Sequence, residues 1–400
     1  MTEVTVDDRT TTRPTVTSDP APPGSFDYGL LGVVIALAAT GLVMILSASS
    51  SAADSGYGDS YHYVWRQLAG LTVGGALGAA ALWSPYGRIR RFAWPLYLIT
   101  LVLLVLVMTP LGHTAKGATR WIEIGPAHLQ PSEIARLSLV LVLSDYLANN
   151  RGRMSDVVGV GIPGLGLLLP MVVLVIFQRD FGTTAILLGL AGTLLFVAGL
   201  KWRWVLGGAV AVGGLLGFLV LIEPYRMRRL ASFLDPFADR TGDGYQVVQG
   251  WIALATGGAF GTGIASGVAQ RGLLPEPHTD FISAVIGEEL GAVGWIAVVV
   301  LELLLVWRSA TIASRAGDLF GMLAGIGIAA MFGSQALINL GVVGGLLPAK
   351  GLVLPFLSYG ASAVMVHTAC VGLLLRIGLG PGQAPEPRPT LSRSTVATGA

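Results

Sequence analysis

The chain has 400 residues, 53% of them hydrophobic and only 12% charged, with a formal net charge of +2. A soluble globular chain carries roughly twice that charged fraction, so the composition excludes that class and indicates an integral membrane protein that crosses the bilayer many times. Cys370 is the only cysteine, which excludes intramolecular disulfides and cysteine-rich metal sites.

Residues 1–28 are rich in Thr, Pro and Asp and hold no apolar run, the composition of a disordered tail. They do not form a cleavable signal peptide, because Glu3, Asp7 and Asp8 mix with Arg9 and Arg13 and the hydrophobic stretch comes late. Uncharged apolar runs long enough to cross about 30 Å of hydrocarbon follow. They lie near 29–48, 65–84, 92–110, 132–148, 157–177, 182–200, 204–222, 284–306, 319–341 and 360–378. The expected fold is therefore an all-α polytopic membrane domain over 29–378, with about ten transmembrane helices and a long loop, 223–283, between the seventh and eighth. In the run 132–148, Glu133 and Arg136 at one end and Asp145 at the other would sit at the two interfaces. The 55 glycines suit close helix–helix approach in lipid, and residues 379–400 form a second solvated tail.

The short connections alternate in Lys and Arg. Arg88, Arg90 and Arg91, then Arg151 and Arg153, Lys201 and Arg203, Arg308 and Arg315, and finally Arg376 fall on one side. The positive-inside rule makes that side, and with it both termini, cytoplasmic. Segments 49–64, 111–131, 178–181, 223–283 and 342–359 then face outward, away from ATP.

Those outward segments hold most of the unusual sequence. His113–Ile122 combines Lys116 and Arg120 with Trp121, which suits either an interfacial anchor or a cationic surface for a pyrophosphate-bearing lipid. Pro131, Ser132 and Glu133 suit a helix start. The turn at Gln178–Thr183 holds Arg179 and Asp180, the latter a good helix cap. Residues 257–267 are glycine-rich but lack the Gly-Lys-Ser/Thr ending of a phosphate loop, so close packing or re-entrant backbone is the expectation. Tyr245–Ala255 reads as an amphipathic surface helix. Glu288 opens an acidic pair near the start of a span, and Glu302 lies deeper, about a turn from its cytoplasmic end, where snorkelling or partner contact would serve it. Gln335 and Asn339 share a helical face and read as interhelical glue, and His367 as structural. In Leu274–Phe281, two prolines stiffen the backbone just ahead of His278, Thr279 and Asp280. Asp280 could cap the helix that follows. Together with Lys116, Arg120, Arg179 and His278 it could instead line an outward cleft with anion-binding cations and one carboxylate base.

The residues that carry a family resemblance run through nearly the whole apolar region. They are Lys116-Gly117-Ala118 with Arg120-Trp121-Ile122, Gln130–Ala135, Asp180–Thr183, Gly244-Tyr245-Gln246, Leu274–Phe281 with Gly287–Gly291, and Leu354–Gly360 around Ser358. On these the chain resembles the SEDS (shape, elongation, division and sporulation) peptidoglycan glycosyltransferases. Leu347–Leu352, which contains Lys350, is more similar to the division branch than to the elongation branch. The chain departs from the family pattern at Arg179 (usually proline), Thr262 (commonly lysine) and Gly360–Ala363 (usually Gly-Gly-Ser-Ser).

The resemblance implies polymerisation of lipid II, the undecaprenyl-pyrophosphate-linked disaccharide-peptide, at the outer face of the bacterial cytoplasmic membrane, with a place at the division septum. It implies Asp280 as the catalytic residue. Lys116, Arg120, Trp121, Glu133, Arg179, Asp180, His278, Thr279, Glu288, Lys350 and Ser358 are the candidate substrate-binding set. The partners implied are a class B penicillin-binding transpeptidase and other division-complex membrane proteins, not nucleic acid. No ligand cluster specifies a metal, and a divalent cation (Mg or Mn) could share the phosphate-binding role. The competing readings are a lipid II flippase, an elongation-type polymerase and a non-catalytic scaffold.

Overall fold

The computed structural model describes residues 25–380 except 116–117, 126, 154–155, 223–226, 228–230, 239–241, 268–273 and 349. Lys116 and most of both expected tails lie outside the described residues. In chain order the elements are α1 (Tyr28–Tyr57), α2 (His62–Trp83), α3 (Tyr86–Leu106), β1 (Gly112–Ala115), β2 (Ala118–Ile124), β3 (Ala127–Leu129) and α4 (Pro131–Asn149). Then come α5 (Ile162–Phe177), α6 (Phe181–Val197), α7 (Trp202–Ile222), α8 (Asp243–Gly257), α9 (Ile282–Ser314), α10 (Leu319–Val343) and α11 (Ala361–Leu379). A single π-helical turn, Val157–Gly161, leads into α5.

Among the described residues, six helical segments are long and apolar enough to cross a membrane: α1, α3, 157–177, α9, α10 and α11. Helix α6 is a shorter apolar one, and α2, α4 and α7 occupy the places of further expected spans. The protein is a polytopic helical membrane protein. Two features differ from the sequence reading. Helix α1 runs on to Tyr57 through most of the expected loop 49–64. Between α3 and α4 the chain forms an antiparallel sheet, order β1-β2-β3, pairing His113 with Trp121 and Glu123 with His128.

Packing of the second and last helices explains part of the glycine content. A Cβ on Gly70, Gly74 or Gly78 of α2 would lie 2.6, 2.5 or 2.8 Å from the carbonyl oxygen of Ala361, Met365 or Thr368 on α11. Glycines at every fourth residue thus let two backbones touch where larger side chains would hold them apart.

Helix α9 is broken at Gly291, whose φ of 70° lies outside the helical region. A break leaves carbonyls and N–H groups without helical partners, and hydrocarbon offers no water to replace them. The glycine-rich segment after α8 replaces them instead. Thr262 N and Gly263 N donate to the carbonyls of Glu288 and Glu289, while Ala292 N and Val293 N donate to those of Gly258 and Ala259. Close packing is therefore the role of residues 257–263. Thr262 adds a second bond, from Oγ1 to the same Glu288 carbonyl at 3.1 Å. Helix α8 packs on α9 rather than lying free on the surface, with Gly250 against the Phe281 ring and Gly257 against the Gly287 carbonyl.

Connections alternate between two ends of the bundle. At one end Tyr86 bonds Asp318, Arg90 bonds Asp145, and Arg308 lies 3.6 Å from Asp27. The other end gathers the sheet, the α5–α6 turn, the loop before α9 and the loop before α11, tied to one another by long-range hydrogen bonds. Between them, Glu302 is 1% exposed and does not snorkel. Among the described residues neither its carboxylate oxygens nor the side-chain polar atoms of Gln335 and His367 have a hydrogen-bond partner.

Candidate active site

The loop before α9 begins with two prolines that bracket Glu276, itself at φ 50°. Thr279 closes the turn, donating from N and from Oγ1 to the Glu276 carbonyl. His278 is buried between Tyr63 of α2 (ring centroids 4.4 Å apart) and Tyr359 (5.7 Å). Its carbonyl accepts from Tyr359 N at 2.8 Å. The loop is thus held at its middle by an aromatic clamp, and its last residue, Asp280, is delivered half-buried to the mouth of the bundle. Phe281, not Asp280, occupies the cap position of α9 and makes no side-chain cap bond.

Opposite Asp280 runs the loop 344–360. Gly351 lies so close that a Cβ there would be 3.0 Å from Asp280 Oδ2 and 3.5 Å from Oδ1. Lys350, its neighbour, places Nζ 5.9 Å from the Phe181 ring centroid at the start of α6, and Leu352 packs on Gly182. Ser358 is buried, and its hydroxyl accepts from Leu354 N at 2.9 Å, so it shapes this loop from within. Asn339 of α10 bonds loop backbone: Nδ2 donates to the carbonyls of Asp280 (3.0 Å) and Leu352 (2.7 Å).

The α5–α6 turn closes the next side. Asp180 caps α6 through Thr183 N (3.1 Å) and accepts from Thr183 Oγ1 (2.9 Å). Arg136 donates both to Thr183 Oγ1 (2.8 Å) and to Glu133 (2.7 Å). Glu133, Arg136, Thr183 and Asp180 therefore form one buried network behind the turn, and Glu133 faces it. Arg179 is exposed at φ 59°. A proline ring locks φ near −65°, so the family's usual residue would need another turn here. From β2, Arg120 reaches across to the Gln178 (3.4 Å) and Arg179 (2.6 Å) carbonyls, fixing the sheet to this turn.

One further cation, Arg66 of α2, was not singled out in the sequence. It approaches His128 Nδ1 at 3.3 Å and bonds the Tyr359 hydroxyl, whose pKa burial pushes up so that it stays a phenol. His128 Nε2 lies 3.3 Å from Glu123. Since Arg66 can only donate, His128 accepts at Nδ1 and gives its proton at Nε2 to Glu123.

Arg120, Arg179, Asp180, His278, Thr279, Asp280, Lys350 and Ser358 thus lie at one end of the bundle, joined through contacting loops. Trp121 stands half-buried on β2 beside them. Glu288 is set apart: it lies two turns into α9, buried against the glycine-rich segment, where a Cβ on Gly267 would be 2.6 Å from its Oε2. Among the described residues no group of three or more His, Cys, Asp or Glu side chains could hold a metal ion. The arrangement places Asp280, on its clamped loop, at the same end of the bundle as Arg120, Arg179 and Lys350.

Known proteins repeat this chain closely. It is 39% identical over 354 residues to the probable peptidoglycan glycosyltransferase FtsW of Geobacter sp. (strain M18), covering 88% of this chain and 96% of that one. It is 41% identical over 360 residues to the protein of that name from Alcanivorax borkumensis, covering 88% and 93%. Among solved structures, a chain of a peptidoglycan synthase complex that coordinates polymerization and crosslinking matches with TM-score 0.74 and 33% identity, covering 88% of this chain and 98% of that one. The rod shape determining protein RodA of Thermus thermophilus matches with TM-score 0.66 and 30% identity, covering 88% and 97%. Residues 28–379 match the model of the cell cycle protein family of FtsW, RodA and SpoVE, and the chain belongs to that family.

Proposed function

We propose that this protein is a peptidoglycan glycosyltransferase that polymerises lipid II into glycan strands at the outer face of the cytoplasmic membrane. The relatives' names support the reaction, and their shared name FtsW supports the division branch. The observation that carries the chemical assignment is the placement of Asp280, presented on a clamped loop against Gly351, the chain neighbour of Lys350.

In this reading Asp280 accepts the proton of the acceptor sugar hydroxyl. That oxygen bonds the donor's anomeric carbon as the bond from that carbon to pyrophosphate breaks, and the electron pair leaves with the pyrophosphate. An α-linked donor and a β product require inversion, hence one base and stabilisation of the departing anion. Arg120, Arg179 and Lys350 steady that charge, with Lys116 a fourth candidate outside the described residues. Pyrophosphate leaves as an anion, so a separate protein acid is unnecessary.

A class B penicillin-binding transpeptidase is the proposed partner, supported by the likeness to a synthase complex. It would meet the lipid-facing helices. Val293, Ile296, Val300, Leu303 and Trp307 form one exposed apolar stripe on α9, a surface suited to lipid or to a partner's helix. Cytoplasmic termini complete the proposal on the charge pattern of the connections, and action at the septum with other division proteins on the name FtsW that the relatives share.

The test uses the purified full chain with its transpeptidase partner and lipid II. Asp280→Asn is expected to abolish strand synthesis while the protein still elutes as a monodisperse complex in detergent. Normal polymer from that variant would overturn the assignment of the base.

A further inference from the structure

We propose that Asn339 is a positioning residue for Asp280, acting through the backbone of the two loops that form the site; the inference rests on the reading of Asp280 as base. Asn339 is 1% exposed on α10, and its amide has two protons. Both are spent on carbonyls from different segments, one on Asp280 at 3.0 Å and one on Leu352 at 2.7 Å. Its Oδ1 faces Ser283 Oγ at 3.5 Å, one turn into the helix that Asp280 precedes.

The geometry makes one side chain a clip across the seam of the site. Leu352 is the residue after Gly351, whose Cα faces the Asp280 carboxylate. Fixing the Leu352 and Asp280 carbonyls to the same amide therefore fixes the distance between that carboxylate and the loop bearing Lys350. Neither loop has regular secondary structure of its own at these positions, so the separation of base and cation depends on such cross-links. A buried amide suits this: it supplies two donors at a fixed angle and adds no charge to compete with the carboxylate. Without it two buried carbonyls lose their donors and the seam can widen. A misplacement of about 1 Å between reacting groups costs on the order of 100-fold in rate.

The test is polymerisation by purified full chain with its transpeptidase partner, with rates normalised to the folded fraction. Asn339→Leu, close in size and without donors, is expected to lower kcat by roughly 10- to 100-fold while the apparent KM for lipid II stays within about threefold. Asn339→Ser, which keeps one shorter donor, should fall between and serves if the leucine variant folds poorly. Gly351→Ala perturbs the same seam from the other side. If both changes act on the placement of Asp280, the double variant loses less than the product of the two single losses. A merely structural role would multiply them. Near-normal kcat in both Asn339 variants, or full multiplication with Gly351→Ala, overturns the inference. An active Asp280→Asn variant would instead sink the reading of the base itself, whatever Asn339 does.

Discussion

Between Gly351 and Asp280 a methyl group fits only tightly. An alanine Cβ would arrive 3.0 Å from Oδ2, closer than most such contacts, so the carboxylate must give by a few tenths of an ångström. Gly351→Ala is therefore expected to cut polymerisation by roughly 10-fold or more and to leave thermal unfolding in detergent close to that of the parent; unchanged turnover would mean that Asp280 can retreat without losing its geometry. Asp280 could be picked out from the sequence because an ionisable group at a membrane edge, stiffened by two prolines, already needs an explanation. Arg66 and Asn339 could not. Arg66 sits at the head of an apolar run, where a cation reads as an interfacial anchor, and the histidine it meets is 62 positions away. Asn339 shares a helical face with Gln335, so sequence periodicity treats the two alike. In the fold one clips two loops together and the other is buried without a partner among the described residues. Glu133 and Asp180 carried the right polarity for a substrate site, yet the fold turns both into a buried network with Arg136 and Thr183.

A helix can be interrupted in a membrane only if something else takes over its hydrogen bonds, and α9 shows both halves of that exchange. Gly291 adopts φ 70° and its missing side chain leaves 2.3 Å to Gly261 N. Gly291→Ala combines a left-handed conformation with a clash against backbone. We expect a loss of at least about 2 kcal/mol, seen as a lower unfolding temperature, together with lost activity because Asp280 stands at the head of the same helix. A stable Gly291→Ala protein would show that the break can close without cost. Apolar run length made most helices legible in advance, since burial in lipid is a property of consecutive residues. The sheet was not legible: β1 and β3, of four and three residues, are too brief to show alternation, and β2 is defined by its pairing with both. The break at Gly291 was hidden as well, because its partners lie in a glycine-rich segment some thirty positions earlier and no local periodicity links them.

For the whole molecule, the placement of Arg and Lys on alternate connections leads to an orientation that labelling can check. Cys370 is the sole cysteine and is fully buried, so introduced thiols report cleanly. Leu111→Cys, on the turn before the sheet, is expected to react with a membrane-impermeant maleimide in intact cells, and Arg151→Cys only after the membrane is opened. The reverse pattern would put the site in the cytoplasm and end the proposed reaction. The packing of α2 on α11 has a consequence for biogenesis, and Gln67 ties the same two ends of the chain together. Its amide donates to the Ser358 carbonyl and accepts from Gly360 N, a partner 293 positions later, and the glycine row of α2 lies on α11. At about 5–20 residues per second the ribosome needs tens of seconds to supply that partner. Until then α2 sits in the bilayer with its glycine groove unfilled, and Tyr63 and Arg66 lack the Tyr359 they will meet. Asp280 leaves the ribosome earlier, but its loop receives Gly351 and Tyr359 only near the end of synthesis. The end of the bundle that carries Asp280 is thus the last part to close, and a chain cut off after α10 would lack both Gly351 and Tyr359.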